Sequence, residues 1–338
     1  MNSAQFKENF RFTPLLILTV RLKLEEEERQ EDWEMKKWVF CRAPKSRASG
    51  FARWRRRDAA AAGLFLAPSA VGFAVFYLIP FGMSLFTSFR SGAAGGSFVG
   101  LANYRELMAS DSFRKAAANT LYFSALGVPL LLGLSLGLAL LLNRQIYLRK
   151  WLRTSFVLPL VVPVASVILI WQMVFDWNGV LNYLLGHFGI ERVDWMKSSA
   201  ARYVVIAAYL WKNLGYNVIL FLAGLQQIPR DYYETAQVEG AGAARRFFGI
   251  TLVYLTTTTF FVAIMSIINS FKVFRETYLL AGDYPHDSIY MLQHYMNNMF
   301  VSMDIQKLTA AAVLMVAAIL AIVLGLFGLE RRYRHFME

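Results

Sequence analysis

LTAAAVLMVAAILAIVLGLFGL, Leu308 to Leu329, runs for 22 residues without a charge. A helix of about 20 apolar residues crosses the roughly 30 Å hydrocarbon core of a bilayer, so this stretch reads as a membrane span. The same feature recurs upstream. Ala59–Phe89, Ala116–Asn143, Thr154–Phe175 and Thr251–Phe271 are also uncharged, and Tyr203–Pro229 carries only Lys212. The runs are continuous rather than alternating and far longer than a barrel strand, which excludes a closed β-barrel. The expected fold class is therefore an all-α polytopic membrane protein with six transmembrane helices, at about 60–88, 116–142, 154–175, 203–224, 251–271 and 308–328.

Composition agrees. The 338 residues are 57% hydrophobic and 17% charged, where a soluble domain carries about 25% charge. The net charge is +12. A basic balance often marks a nucleic-acid binder, but here the basic residues flank the spans. Alternate loops, starting with Arg42–Arg57, hold 17 Lys and Arg together with the tail; the opposite loops hold 10. The excess places both termini and the 225–250 loop in the cytoplasm, and 90–115, 176–202 and 272–307 outside. The expected location is the bacterial inner membrane.

Catalytic chemistry finds little support. Cys41 is the only cysteine, so no disulfide or Cys-based metal cluster forms. His187, His286, His294 and His335 are scattered, no HExxH motif occurs, and no metal site is expected. His286 and His294 fall in an outer loop and read as ordinary polar surface. No nucleophile–His–acid grouping can be argued from spacing, so the chain is not expected to be an enzyme. The dipeptide Gly-Lys never occurs, which excludes a P-loop nucleotide site in this chain. Gly240-Ala-Gly242-Ala-Ala-Arg245 lacks the third glycine and the preceding strand of a dinucleotide fingerprint.

Residues 1–58 form an N-terminal arm with its own composition. Leu22–Trp38 is dense in charge and reads as an exposed helix. MKKWVFCR, from Met35, has the form in which bacterial membrane proteins commonly begin. Residues 1–34 thus read either as an upstream extension or as a genuine cytoplasmic arm. The six-helix transmembrane body is expected over 59–330 and a short basic tail over 331–338. In the second span, Gly133 and Gly137 have the GxxxG spacing that permits close helix packing.

Between the fourth and fifth spans lies DYYETAQVEGAGAARRFFGI, Asp231–Ile250. Pro229 halts the fourth span. Asp231 is expected to N-cap a short helix, with Glu234 at capping-box spacing. Gly240 and Gly242 break it, and a second short helix leads into the fifth span. A small-residue surface outside the bilayer lets another protein's backbone approach closely; a simple interfacial helix is the alternative.

This loop resembles a known family. The pattern E-A-A-x-x-x-G, then nine residues and I-x-L-P, marks the permease subunits of binding-protein-dependent ABC importers. The chain has Glu234-Thr235-Ala236, Gly240, Ile250 and Leu252, with Thr235 in place of Ala and Val253 in place of Pro. LAGLQQIPRDYYETAQVEGA is similar to the sugar-transporting, maltose-type branch. FVGLANYREL after the first span, Asn119-Thr120, and SFKVFRETYLLAGDYP after the fifth add to the likeness, which covers about residues 58–335. The resemblance implies the ABC importer permease (MetI-like) fold. It also implies a coupling helix seated on a separate ATPase subunit, here Tyr232, Tyr233, Glu234, Ala236, Glu239, Gly240 and Ala241. ATP and Mg would be used by that ATPase dimer, with no cofactor in this chain. The other implied partners are a second, related permease and an extracytoplasmic solute-binding protein that delivers the sugar.

The solute path is expected on the fourth span. Tyr209, Asn213 and Asn217 recur at i, i+4 and i+8 and share one face; Asn269 of the fifth span could join them. Intramembrane polar groups face the protein interior or a water-filled path, and carboxamides with aromatic faces suit a sugar. Interhelical hydrogen bonding is the alternative. Lys212 lies on a different face, without an assigned role. A stand-alone secondary transporter or channel would need intramembrane carboxylates or His for ion coupling, and the six expected spans contain no Asp or Glu.

Overall fold

The computed structural model of the chain describes residues 48–92, 96–144 and 149–334. The 1–34 stretch lies outside the described residues. Among those described, six helical stretches are long and apolar enough to cross a membrane: Ala61–Thr87, Asp111–Asn143, Val164–His187, Ala201–Gln226, Thr256–Ala281 and Ile305–Arg332. Each expected span is represented, but the third and fifth begin later and extend further.

Two units make up the chain, residues 1–77 and 78–338. In the first, α1 (Ala48–Phe73) carries Pro68 within it and presents Leu64 and Phe65 on its surface. A π-helical turn, Ala74–Leu78, follows. The second unit opens with α2 (Ile79–Thr87), which has Pro80 in its first turn, where the missing N–H costs nothing.

The centre of the second unit is α4 (Asp111–Asn143) packed along α8 (Ala201–Gln226), with α12 (Thr256–Phe271) against both. Ser110 caps α4 by accepting a hydrogen bond from the Phe113 amide. Phe123 and Leu131 of α4 meet Val205, Ile206 and Tyr209 of α8 in one buried cluster. One or more turns on, Ala139 and Leu142 meet Val218, Phe221 and Leu225, with Leu255 and Val262 closing the group. Lipid tails are as apolar as these side chains, so close packing and polar contacts hold the helices together. Gly224 is the tightest point: a Cβ there would stand 2.7 Å from Thr258 Oγ1 on α12. Gly133 and Gly137 make no such approach, having nothing within 4 Å of a notional Cβ. The GxxxG spacing, which permits close packing, is not used for it among the described residues of this chain.

The expected third span is interrupted. α5 (Arg149–Val161) ends just before Val162-Pro163, and α6 (Val164–Phe175) starts after it. Proline restricts the residue before it to extended conformations and cannot donate to the preceding turn. Pro163 itself takes ψ 131° at the N-cap of α6. α5 packs on α8, and α6 continues toward α7 (Val180–His187).

The segments expected outside the membrane are folded wherever they are described. Between α2 and α3 (Ala102–Ala109), Asn103 donates to the carbonyls of Ser88 and Arg90, at 2.8 and 2.9 Å. Asn182 of α7 is 2% exposed. Its amide donates to the Trp177 and Val193 carbonyls, and its oxygen accepts from the Val193 amide and the Trp195 indole, all within 3.1 Å. After α12 the chain makes α13 (Phe274–Ala281), a 3₁₀ turn (Asp287–Ile289) and α14 (Leu292–Val301) before the last helix, α15 (Ile305–Arg334). Asn119 donates to the carbonyls of Asp287 and Tyr290, at 2.6 and 2.9 Å, and the Thr120 hydroxyl accepts from the Leu292 amide at 2.9 Å. Lys115 pairs with Asp287 at 2.7 Å, which lowers the Asp287 carboxyl below its ordinary pKa.

Candidate functional site

The segment between α8 and α12 is built around one short helix, α9 (Arg230–Val238). Pro229, not Asp231, takes the N-cap position, and no side chain caps the helix. The expected capping box does not form. Proline has its φ already set near the required value and lacks the N–H that would need a partner, so the helix starts two residues earlier, at Arg230. Asp231 lies in the first turn, where a negative charge still faces the positive end of the helix dipole.

Gly240 ends the helix. Its φ is +78°, a left-handed conformation that favours glycine. The Gly240 amide donates to Gln237 O at 3.1 Å and the Ala241 amide to Ala236 O at 2.8 Å. This is the paired bond pattern of a Schellman end. The chain then enters α10 (Ala243–Arg246), a π-helical turn (Phe247–Thr251) and α11 (Leu252–Tyr254) before α12.

Three side-chain contacts tie α9 to that irregular stretch. The Tyr233 and Thr251 hydroxyls are 2.9 Å apart, with Thr251 buried. Arg246 Nη1 donates to Gln237 Oε1 at 3.2 Å, and the Tyr232 and Tyr254 rings lie 5.2 Å apart. Of the seven loop residues singled out from sequence, Tyr233 is an anchor against the core. Ala236 and Ala241 are partly covered. Tyr232, Glu234, Glu239 and Gly240 face outward. Val238, which sequence reasoning passed over, is 90% exposed.

The polar face of α8 divides. Tyr209 and Asn217 are each 2% exposed. The Tyr209 hydroxyl donates to Ser266 O at 2.8 Å, and the Asn217 amide donates to Ser266 Oγ at 2.9 Å. Both are committed to holding α8 on α12, the interhelical alternative. Asn213 is only half-buried, and its amide donates to Tyr209 O one turn back, at 2.8 Å. Asn269 is also half-buried, near the end of α12.

Lys212 has a partner. It forms an ion pair with Glu276 of α13. The expected fifth span stopped at Phe271; the apolar stretch instead runs to Ala281 and takes in Glu276. The expected absence of carboxylates from the spans does not hold: the fifth stretch contains Glu276, and the third, extended to His187, contains Asp176. For Glu276 the reason is that α13 continues after a short break at Lys272-Val273, and the neutralising partner lies 64 residues away in sequence.

His294 also departs from expectation. It is fully buried on α14, edge-on to Phe274 at 4.9 Å, and neither ring nitrogen has a hydrogen-bond partner. Burial pushes its pKa down to about 4, so the ring is neutral at neutral pH. Among the described residues no cluster of three or more His, Cys, Asp or Glu side chains is placed to hold a metal ion.

Comparison with known proteins fits this geometry. Residues 129–336 match the family described as binding-protein-dependent transport system inner membrane component. The chain is 32% identical over 282 residues to the probable ABC transporter permease protein YesP of Bacillus subtilis, covering 80% of this chain and 90% of that protein. It is 33% identical over 276 residues to the sulfoquinovosyl glycerol transport system permease protein SmoG of Agrobacterium fabrum, covering 78% and 90%. In fold it is similar to a chain of a bacterial ABC transporter involved in the import of the acidic polysaccharide alginate, with a TM-score of 0.71 and 24% identity over 83% of this chain and 99% of that one. Six apolar helices, a short helix set between the fourth and fifth, and a family match over more than half its length make this chain a multi-pass ABC importer permease subunit of the binding-protein-dependent transport family.

Proposed function

We propose that this permease forms part of the path by which a carbohydrate crosses the bacterial inner membrane. An extracytoplasmic binding protein delivers the sugar, and a second, related permease completes the path. A separate ATPase pair drives the cycle by docking on α9. The permease has no P-loop of its own, so ATP and Mg belong to those partners. The carbohydrate assignment is supported by what similar permeases are named for: sulfoquinovosyl glycerol and arabinooligosaccharides. Both termini and α9 lie on the cytoplasmic side, as the distribution of basic residues favours.

The observation that carries the docking role is α9 itself. It is short, exposes Glu234, Glu239 and Val238, ends on a glycine in a left-handed conformation, and is linked by Tyr233 to the residues that open the fifth span. Push or pull on α9 therefore reaches α12 through packed side chains. Within the membrane, Asn213 and Asn269 line the solute path on this reading. Tyr209 and Asn217 set the spacing of α8 and α12 behind it.

The test is co-purification and reconstitution with the ATPase, second permease and binding protein that this reading requires. ATP-dependent saccharide uptake is expected. Gly240→Trp, which places a bulky side chain on the outer face of α9 in a conformation that disfavours it, should insert normally yet lose ATPase co-purification and uptake. Normal coupled uptake by this variant would refute docking on α9.

A further inference from the structure

The short helix α13 (Phe274–Ala281) has a conformational joint at each end. Before it, Lys272 and Val273 leave the line of α12 with ψ of 12° and 0°, where a regular helix holds about −42°. After it, Gly282 takes φ +76°, a left-handed conformation that favours glycine. Between the joints α13 is tied to its neighbours through Glu276, which pairs with Lys212 of α8, and through the Leu279 carbonyl, which accepts from Gln172 of α6 at 2.9 Å.

His294 of α14 packs against α13. Its ring meets Phe274 edge-on at 4.9 Å and Tyr290 at 6.1 Å. The ring is fully buried, and neither nitrogen has a hydrogen-bond partner. A neutral imidazole carries one donor and one acceptor, and burying them unpaired is costly. Charging the ring in the same place would cost more. Closure of α13 on His294 and protonation of His294 therefore oppose one another.

The surrounding charges do not relieve that opposition. On α13, Glu276 is paired with Lys212, and Arg275 is exposed. Lys115 of α4 pairs with Asp287, and Lys307 of α15 pairs with Glu106 and Asp304. His286 Nδ1 lies 2.9 Å from Ser288 Oγ. Tyr278, Tyr290 and Tyr295 are neutral phenols. Asp283, exposed just past the Gly282 joint, favours the proton on His294, but burial outweighs it.

We propose that α13 is an acid-released strap: the Lys212–Glu276 pair holds it closed on His294, and a proton taken up by His294 releases it about its two joints. The device does not depend on which solute the permease carries. Packed against α13, the ring has its pKa pushed down to about 4. Freed and hydrated, it returns to the ordinary value near 6.5. The released form binds the proton more tightly, so the ratio of released to closed rises as pH falls through that window. Between pH 7.5 and 5.5 the rise is about tenfold.

The test is a distance measurement on the full-length permease with the partners that co-purify with it, in a Cys41→Ser background. Spin labels are attached at Arg275→Cys on α13 and Met108→Cys on α3, both exposed positions. Double electron–electron resonance reads the populations. One distance should dominate at pH 7.5, and at pH 5.5 a second should gain on it about tenfold. His294→Phe keeps a ring in the packing and removes the proton site, so the ratio should no longer change with pH. His294→Leu serves if that variant does not assemble. Glu276→Gln should raise the second population at both pH values, because the latch has lost its charge. A reference pair at Met108→Cys and Tyr203→Cys, both exposed, should keep one distance throughout. Absence of a second population at pH 5.5, or a pH response that survives loss of His294, overturns the inference. So does an equal response in the reference pair, which would mean general loosening. If neither His294 variant assembles, Glu276→Gln decides: populations like those of the unaltered chain overturn the latch and the strap with it.

Discussion

The hydroxyl of Tyr233 on α9 lies 2.9 Å from that of Thr251, the last residue of the π-helical turn before the fifth span. Thr251 is buried, so its hydroxyl depends on that partner. Tyr233→Phe keeps the ring in its packing but strands the Thr251 hydroxyl, at a cost of about 1–3 kcal/mol. Thr251→Val in the same chain removes the stranded group and should restore most of the loss. A double-mutant cycle on the melting temperature of the purified complex measures this. Simple addition of the two losses would mean that the two side chains do not act as a pair.

Sidedness gives a second prediction. In a Cys41→Ser background, a cysteine at Asp283 should react with a membrane-impermeant thiol reagent added outside intact cells. One at Gln237 should react only after permeabilisation. Both positions are exposed, so with the permease expressed without its ATPase, accessibility to the reagent is set by the membrane alone. The reverse pattern would invert the proposed topology.

Asn213 and Asn217 are one turn apart on α8 and should respond differently. Asn217→Ala removes the hydrogen bond to Ser266 from a buried site. It should cost about 1–3 kcal/mol of complex stability and leave the ranking of transported sugars unchanged. Asn213→Ala should assemble normally and lower uptake roughly 2- to 12-fold, with altered preference among sugars. Uptake of several sugars, set beside melting temperature, separates the two. Equal loss of stability in both variants would remove Asn213 from the path.

His294 predicts a pH dependence. Its pKa in the folded chain is pushed down to about 4 by burial, against an ordinary value near 6.5. In that window the unfolded chain binds more protons than the folded one, so stability rises with pH and is fully present above pH 6.5. Acidification to pH 4 should cost about 3 kcal/mol. The flanking groups on the packed elements, Phe274 and Tyr290, carry no charge there, and Asp283 acts weakly in the opposite sense. His294→Phe should flatten the dependence of melting temperature on pH between 4 and 6.5. An unchanged slope would assign the titration to another group.

The spans were legible because uncharged runs of about 20 residues have one physical use. The loop motif was legible because a proline stop and a glycine release punctuate it at both ends. Asp231 was misread as the cap because proline is not a capping side chain, yet its geometry does the same work. The partners of Lys212, Asn182 and Asn119 were not legible. Each lies across a turn or another helix, and hydropathy along the chain does not record which faces meet. His294 was misread for the same cause: polarity argued for surface, while the inward face of α14 decided its burial. Tyr209 and Asn217 were placed on one stripe correctly, but a stripe does not say whether water or Ser266 faces it.

Asn119 and Thr120 grip the segment leading into α14 through its backbone: two carbonyls accept from Asn119, and one amide donates to Thr120. Backbone groups are present whatever residue occupies the position, proline aside at the amide. This part of the anchoring resides in α4, while Ile289, Met291 and Leu292 bury side chains of their own in the core, so within 287 to 292 it is the half-buried positions 288 and 290 that are relieved of encoding the location of the segment. Diversity can accumulate there without displacing the loop. A library randomised at 288 and 290 should retain far more assembling members than one of equal size randomised at 119 and 120.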